Sequence, residues 1–129
     1  MDLATCKSLF KINEKTLLDE FFKFLSFPSI SADPAFRPDL KACAKWLQND
    51  LQESGFKVDV WNAEDAPILF AHDLRAGPDK PTLLIYNHYD VQPVDPLELW
   101  HHDPFKAEKK GNRTDKKQPG KFLKEKWPL

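Results

Sequence analysis

Apolar side chains recur at helical spacing in two stretches of the amino-terminal half. The first stretch, residues 14–26, has apolar residues three and four positions apart with charged residues between them. Its apolar residues are Leu17, Leu18, Phe21, Phe22 and Leu25. The second stretch, residues 38–53, repeats the pattern between Pro38, which suits a first helical turn, and Gly55, which suits a helix end. Two amphipathic helices are therefore predicted, and Pro28 limits the first of them.

Strand-like patterns follow the second helix. Phe56, Val58 and Val60 alternate with residues of the opposite face, which predicts a half-buried strand. Residues 68–71 begin a second strand. Residues 81–87 form a third, whose continuous apolar run predicts burial on both faces. Because only a short turn separates the second strand from the third, the sheet should contain an antiparallel pair. The predicted fold class is layered α/β, in the order helix, helix, strand, strand, strand.

The charge distribution divides the chain. Its formal net charge is −1, but residues 1–105 carry −7 and residues 106–129 carry +6. Such a step separates a globular part from a solvated part. We therefore predict one folded unit over residues 1–105 and a basic, irregular and disordered tail over residues 106–129. Lysines of this tail, with Phe122 and Trp127, could contact nucleic acid, but unfolded lysine runs are more often only solvated.

The cysteines and the apolar runs predict a cytoplasmic protein. Cys6 and Cys43 are too few for a disulfide framework and are not spaced as metal ligands, so both are predicted to be reduced thiols. No apolar run has the length of a signal peptide or of a membrane span, so no membrane partner is expected.

Candidate site chemistry lies where the third predicted strand ends, at His88 and Asp90. Ligand sites of open α/β sheets are built at this end of the strands. Residues two apart on an extended backbone point the same way, so both side chains would face one cleft, with Tyr89 turned away. The histidine could bind zinc while the carboxylate holds its other ring nitrogen. By spacing alone, a hydrogen-bonded strand cap remains the simpler interpretation, and His101 and His102 are interpreted as solvated.

A longer stretch around this pair resembles the first metal motif of the aminoacylase and carnosinase-type zinc peptidases. The run His-Tyr-Asp-Val-Gln-Pro at 88–93, followed by Trp100 and Pro104-Phe105, is most similar to the dipeptidase branch. The resemblance covers roughly residues 14–113. It implies that residues 1–105 are the amino-terminal part of a zinc-exopeptidase-like catalytic domain.

The resemblance also implies roles for two residues. In that family, the histidine that matches His88 binds one of two zinc ions. The aspartate that matches Asp90 is the catalytic residue that holds this histidine. A water shared by the two metals attacks a peptide or amide bond.

The family pattern breaks near residue 113. After Gly111-Asn112-Arg113 the family's Gly-Arg-Gly-x-x-Asp segment is replaced, and its Glu-Glu pair and later ligands do not follow. We therefore expect a truncated or frameshifted fragment, inactive as a peptidase and weak in zinc binding. Peptide substrates and homodimers are implied for the full-length family, whose dimerisation domain is absent from this sequence. The alternative is a non-enzymatic α/β remnant or an interaction module with a basic tail.

Overall fold

The computed structural model describes residues 2–63 and 66–107. Two helices and two strands follow one another along the chain, as a small α/β unit. They are α1 (Leu3–Leu25), α2 (Arg37–Glu53), β1 (Lys57–Ala63) and β2 (Ala66–His72). No helix in these described ranges is long and apolar enough to cross a membrane. The predicted tail lies outside them except for Lys106 and Ala107, so the boundary at residue 105 stays a prediction.

Helix α1 begins earlier than the apolar pattern predicts, at Leu3 rather than near residue 14. Its start is set by Asp2, whose side chain accepts a hydrogen bond from the Thr5 amide at 2.8 Å. This cap satisfies one of the amides that a helix leaves unpaired at its beginning. The predicted helix is thus confirmed and its predicted start is wrong. No residue of α1 is buried.

Helix α2 supplies most of the buried core. Leu40, Cys43 and Ala44 lie on one face of this helix and are at most 3% exposed. The helix ends in a Schellman motif. The Phe56 amide donates to the Leu51 carbonyl at 3.0 Å, and the Gly55 amide donates to the Gln52 carbonyl at 2.9 Å. Gly55 has a φ of 90°, a conformation that favours glycine. The predicted helix and its glycine stop are confirmed, because this turn needs that backbone conformation.

The strands β1 and β2 form a two-stranded antiparallel hairpin. Lys57 lies opposite His72 at one end, and Ala63 lies opposite Ala66 at the other. On one face, the rings of Trp61 and Phe70 stack with centroids 5.4 Å apart. Both predicted strands exist. The predicted antiparallel pairing, however, was assigned to the second and third strands, and the structure places it between the first and second.

The third predicted strand is wrong. Residues 81–87 belong to no strand, and nothing in the described part of the chain pairs with them. The predicted burial is absent too: Leu83 and Leu84 are each 83% exposed, and Tyr86 is 90% exposed. The physical reason is that a strand requires a neighbouring backbone to take its hydrogen bonds. β1 and β2 pair with each other, and neither lies beside this segment.

Candidate metal site

The segment that carries His88 and Asp90 is attached to the loop that follows α1. Ser29 and Ile30 of this loop are each 2% exposed, which makes them part of the small core. The Val91 amide donates to the Ser29 carbonyl at 3.0 Å, and Ile30 and Val91 form an isolated parallel bridge. Two short stretches about sixty residues apart along the chain are thereby held side by side.

Tyr89 provides further attachments on the inner side of the segment. Its carbonyl accepts a hydrogen bond from the Ser29 hydroxyl at 2.7 Å, and its own hydroxyl donates to the Pro67 carbonyl in β2 at 2.5 Å. Burial raises the pKa of Tyr89 to about 12, with smaller contributions from Cys43 and Asp90. The phenol therefore stays protonated at neutral pH and remains a hydrogen-bond donor to β2.

His88 and Asp90 contact each other. The Nδ1 of His88 lies 3.1 Å from the Oδ1 of Asp90 and 3.0 Å from the main-chain oxygen of the same residue. Both of these atoms are acceptors, so the arrangement favours the proton on Nδ1 and leaves Nε2 as the nitrogen with a lone pair. The histidine side chain is 78% exposed. Its ring is thus open to solvent while one nitrogen is occupied.

The carboxylate of Asp90 has a second partner. The Ser31 hydroxyl donates to its Oδ2 at 2.5 Å. This bond is the main reason that the pKa of Asp90 lies below its ordinary value; the contact with His88 lowers the pKa further, and burial opposes both. The carboxylate is therefore ionised at neutral pH, as an acceptor for an imidazole N–H must be.

The described residues do not complete a metal site. Within residues 2–63 and 66–107, no group of three or more His, Cys, Asp and Glu side chains lies close enough to hold an ion. Cys43 is buried and Cys6 is exposed, and both are free thiols. A zinc ion in a protein needs three or four ligands. The donor set seen here, one imidazole with its carboxylate, does not fit a zinc ion or a zinc pair.

Sequence reasoning missed the part played by the loop after α1. The segment Ser29-Ile30-Ser31 could be recognised as a loop, but its contacts with Tyr89 and Asp90 could not. The signal available was the place of this loop within the region of family resemblance. His101 and His102 are exposed.

Known proteins of similar sequence and structure indicate which class this site belongs to. No family model matches the chain. The Cys-Gly metallodipeptidase dug1 of Schizosaccharomyces pombe is 32% identical over an alignment of 100 residues, which covers 67% of this chain and 21% of that protein. The cysteinylglycine-S-conjugate dipeptidase of Corynebacterium striatum is 28% identical over 102 residues, covering 78% of this chain and 22% of that protein.

A solved structure agrees with these relatives. The di-peptidase Dug1p from Saccharomyces cerevisiae superposes with a TM-score of 0.63 and 26% sequence identity, over 75% of this chain and 22% of that one. The chain thus spans about a fifth of the length of the curated relatives it matches.

These matches agree on one class: the chain is similar to a part of dipeptidase-type metallopeptidases. Among the members of that class, it is similar to the Cys-Gly metallodipeptidases of yeasts. The resemblance stated from the motif and the α/β fold class are both confirmed, and the small share of each relative agrees with the predicted fragment.

Proposed function

We propose that this chain is a piece of a metal-dependent dipeptidase in which His88 binds the metal and Asp90 is the catalytic residue that holds His88. The observation that carries the proposal is the contact between Nδ1 of His88 and Oδ1 of Asp90, at 3.1 Å, in a chain that is similar to dipeptidases. We propose zinc as the metal, two ions in the complete site, and small peptides of the Cys-Gly type as substrates.

The chemistry of the pair supports these roles. A carboxylate that accepts the Nδ1–H of an imidazole fixes the tautomer and the ring orientation, and it makes the other nitrogen a better ligand. The lowered pKa of Asp90 keeps this acceptor charged at neutral pH. Nε2 of the exposed ring is then the nitrogen that would face the ion.

The chain by itself is proposed to be inactive. The candidate site offers one imidazole with its carboxylate, and no larger group of ligands lies together in the described residues, whereas zinc affinity depends on several deprotonated ligands acting together. A cytoplasmic location, expected from the cysteines and the apolar runs, stays a prediction, and homodimers remain an implication for the full-length family only.

Zinc calorimetry on the full chain tests the metal role. We expect weak binding that His88→Ala removes, and that His101→Ala, a matched change of an exposed histidine, leaves unchanged. Asp90→Ala should weaken binding by about 10- to 100-fold, as is usual when the partner of a ligating histidine is lost. Tight stoichiometric zinc binding would contradict the expected weakness of the site, and binding insensitive to His88→Ala would contradict the metal role of His88.

Hydrolysis of a Cys-Gly dipeptide tests the proposed inactivity. With zinc or manganese added, the chain alone should show no turnover above that of the His88→Ala variant. Turnover that a chelator abolishes and that His88→Ala removes would show that the chain is active without further ligands.

One observation favours the alternative, an interaction module. Leu83, Leu84 and Ile85 form an exposed apolar run, and such surfaces often mark binding sites. Binding of a protein partner that depends on this run but not on His88 would support the alternative over the dipeptidase role.

A further inference from the structure

Two serines of the loop after α1 hold different parts of the same segment. The Ser29 hydroxyl donates to the main-chain carbonyl of Tyr89, whereas the Ser31 hydroxyl donates to the carboxylate of Asp90. The first bond attaches the backbone of the segment. The second contacts only the functional group. The two serines are therefore suited to separable tasks, although one residue lies between them.

We propose that Ser31 is a positioning residue that fixes the side-chain rotamer of Asp90 about its Cα–Cβ bond, so that the carboxylate presents Oδ1 to His88. This inference rests on the proposed function. The carboxylate stands on rotatable bonds, and its side chain is 39% exposed, so burial alone does not hold it. With Oδ2 bound to Ser31 at 2.5 Å and Oδ1 in contact with His88 at 3.1 Å, both oxygens are engaged and the group has one orientation.

The donor itself is held firmly. Ser31 directly follows Ser29 and Ile30, which are each 2% exposed, and Ile30 is bridged to Val91. The Ser31 backbone is thereby fixed relative to Asp90, so that its hydroxyl reaches Oδ2 without ordering a loose segment. Removal of this hydroxyl would leave Oδ2 facing water, since the bond lies at an exposed site. The main effect expected of removing the Ser31 hydroxyl is thus that the Asp90 side chain samples several rotamers. A loss of stability is secondary.

The experiment is nuclear magnetic resonance on the full chain labelled with ¹³C and ¹⁵N. Three-bond couplings from the Asp90 Cγ to its main-chain nitrogen and carbonyl carbon report the side-chain rotamer. We expect one staggered rotamer in the wild type and averaged couplings in Ser31→Ala. Ser31→Thr keeps the hydroxyl and should restore the single rotamer. Ser29→Ala is the matched control, which should lower the free energy of unfolding and leave the Asp90 couplings unchanged.

A second readout concerns the metal. Any zinc affinity that depends on His88 should fall in Ser31→Ala by less than in Asp90→Ala, which removes the group in direct contact with the histidine. A single Asp90 rotamer in Ser31→Ala would overturn the positioning role, and so would equal averaging in Ser29→Ala. An ordered Asp90 that depends on Ser31, in a chain without any zinc affinity at His88, would support the positioning role and refute the proposed metal role.

Discussion

The apolar face of helix α2 and the apolar segment 82–86 are both predicted to be buried, and they have opposite environments. Leu40 and Cys43 of α2 are 3% and 0% exposed, because the hairpin and the neighbouring loops cover that face. Leu84 and Ile85 of the segment are 83% and 71% exposed. An apolar pattern therefore indicates which side chains would gain from burial. It does not identify the part of the molecule that buries them.

The largest test of this comparison is a pair of leucine truncations. Leu40→Ala should lower the free energy of unfolding by about 2–5 kcal/mol, because it removes buried carbons and leaves a cavity. Leu84→Ala, the matched change at an exposed site, should alter it by no more than about 0.5 kcal/mol. Urea unfolding followed by tryptophan fluorescence measures both. Equal losses would mean that Leu84 is buried in solution and that the two regions do not differ.

A smaller loss of the free energy of unfolding is expected at the loop after α1, which attaches the segment that carries His88 and Asp90. Ser29→Ala removes the donor to the Tyr89 carbonyl and leaves a partly buried acceptor unpaired, at a cost of about 1–3 kcal/mol. Ser26→Ala removes an exposed bond to the Lys23 carbonyl and should cost no more than about 0.5 kcal/mol. The same urea experiment compares them. A cost for Ser26→Ala as large as that for Ser29→Ala would argue against a rigid attachment.

Alkaline pH should lower the free energy of unfolding through the buried Cys43 thiol, by less than the largest substitution effect above. Burial raises the pKa of the Cys43 thiol from 9.0 to about 11. The unfolded chain loses this proton first, so the associated stability is present below about pH 9 and is lost as the pH rises through about 11. Cys43→Ala should remove this part of the pH dependence. At pH 8 a thiol reagent should label exposed Cys6 quickly and Cys43 only slowly; equal rates would contradict the burial.

The smallest effect on stability is expected at the exposed run. Ile85→Lys should change the free energy of unfolding by no more than about 0.5 kcal/mol, because the side chain has little contact to lose. It should reduce self-association and the binding of an apolar dye, because it interrupts an exposed apolar surface. Thr82→Lys adds the same charge without removing an apolar group and serves as the control. Identical light scattering by the wild type and Ile85→Lys would mean that this exposed apolar segment does not drive self-association.

The local elements were predictable, and their pairing was not. The 3.6-residue pattern of α2 and its stop at Gly55 depend on neighbouring residues alone, so the sequence was sufficient. Helix α1 starts at Leu3 because of the cap at Asp2, which the apolar pattern does not include. The third strand was wrong because its formation depends on a partner strand.

The candidate site divides in the same way. The proximity of His88 and Asp90 follows from the alternation of side chains along one backbone, so the sequence was enough to predict that they face the same way. The bond from Ser31 to Asp90 joins residues separated by 59 positions. No local pattern reveals a contact of that range, and only the folded loop brings the hydroxyl to the carboxylate.

The alternation from His88 to Val91 has a consequence for engineering. Tyr89 and Val91 attach the segment to the loop after α1 and to β2 through a carbonyl, a phenol and an amide, while His88 and Asp90 carry the exposed imidazole and the carboxylate. Residues that attach the segment thus alternate with residues that present the imidazole and the carboxylate. A designer could exchange the side chains at 88 and 90 and leave in place the attachments that Tyr89 and Val91 make.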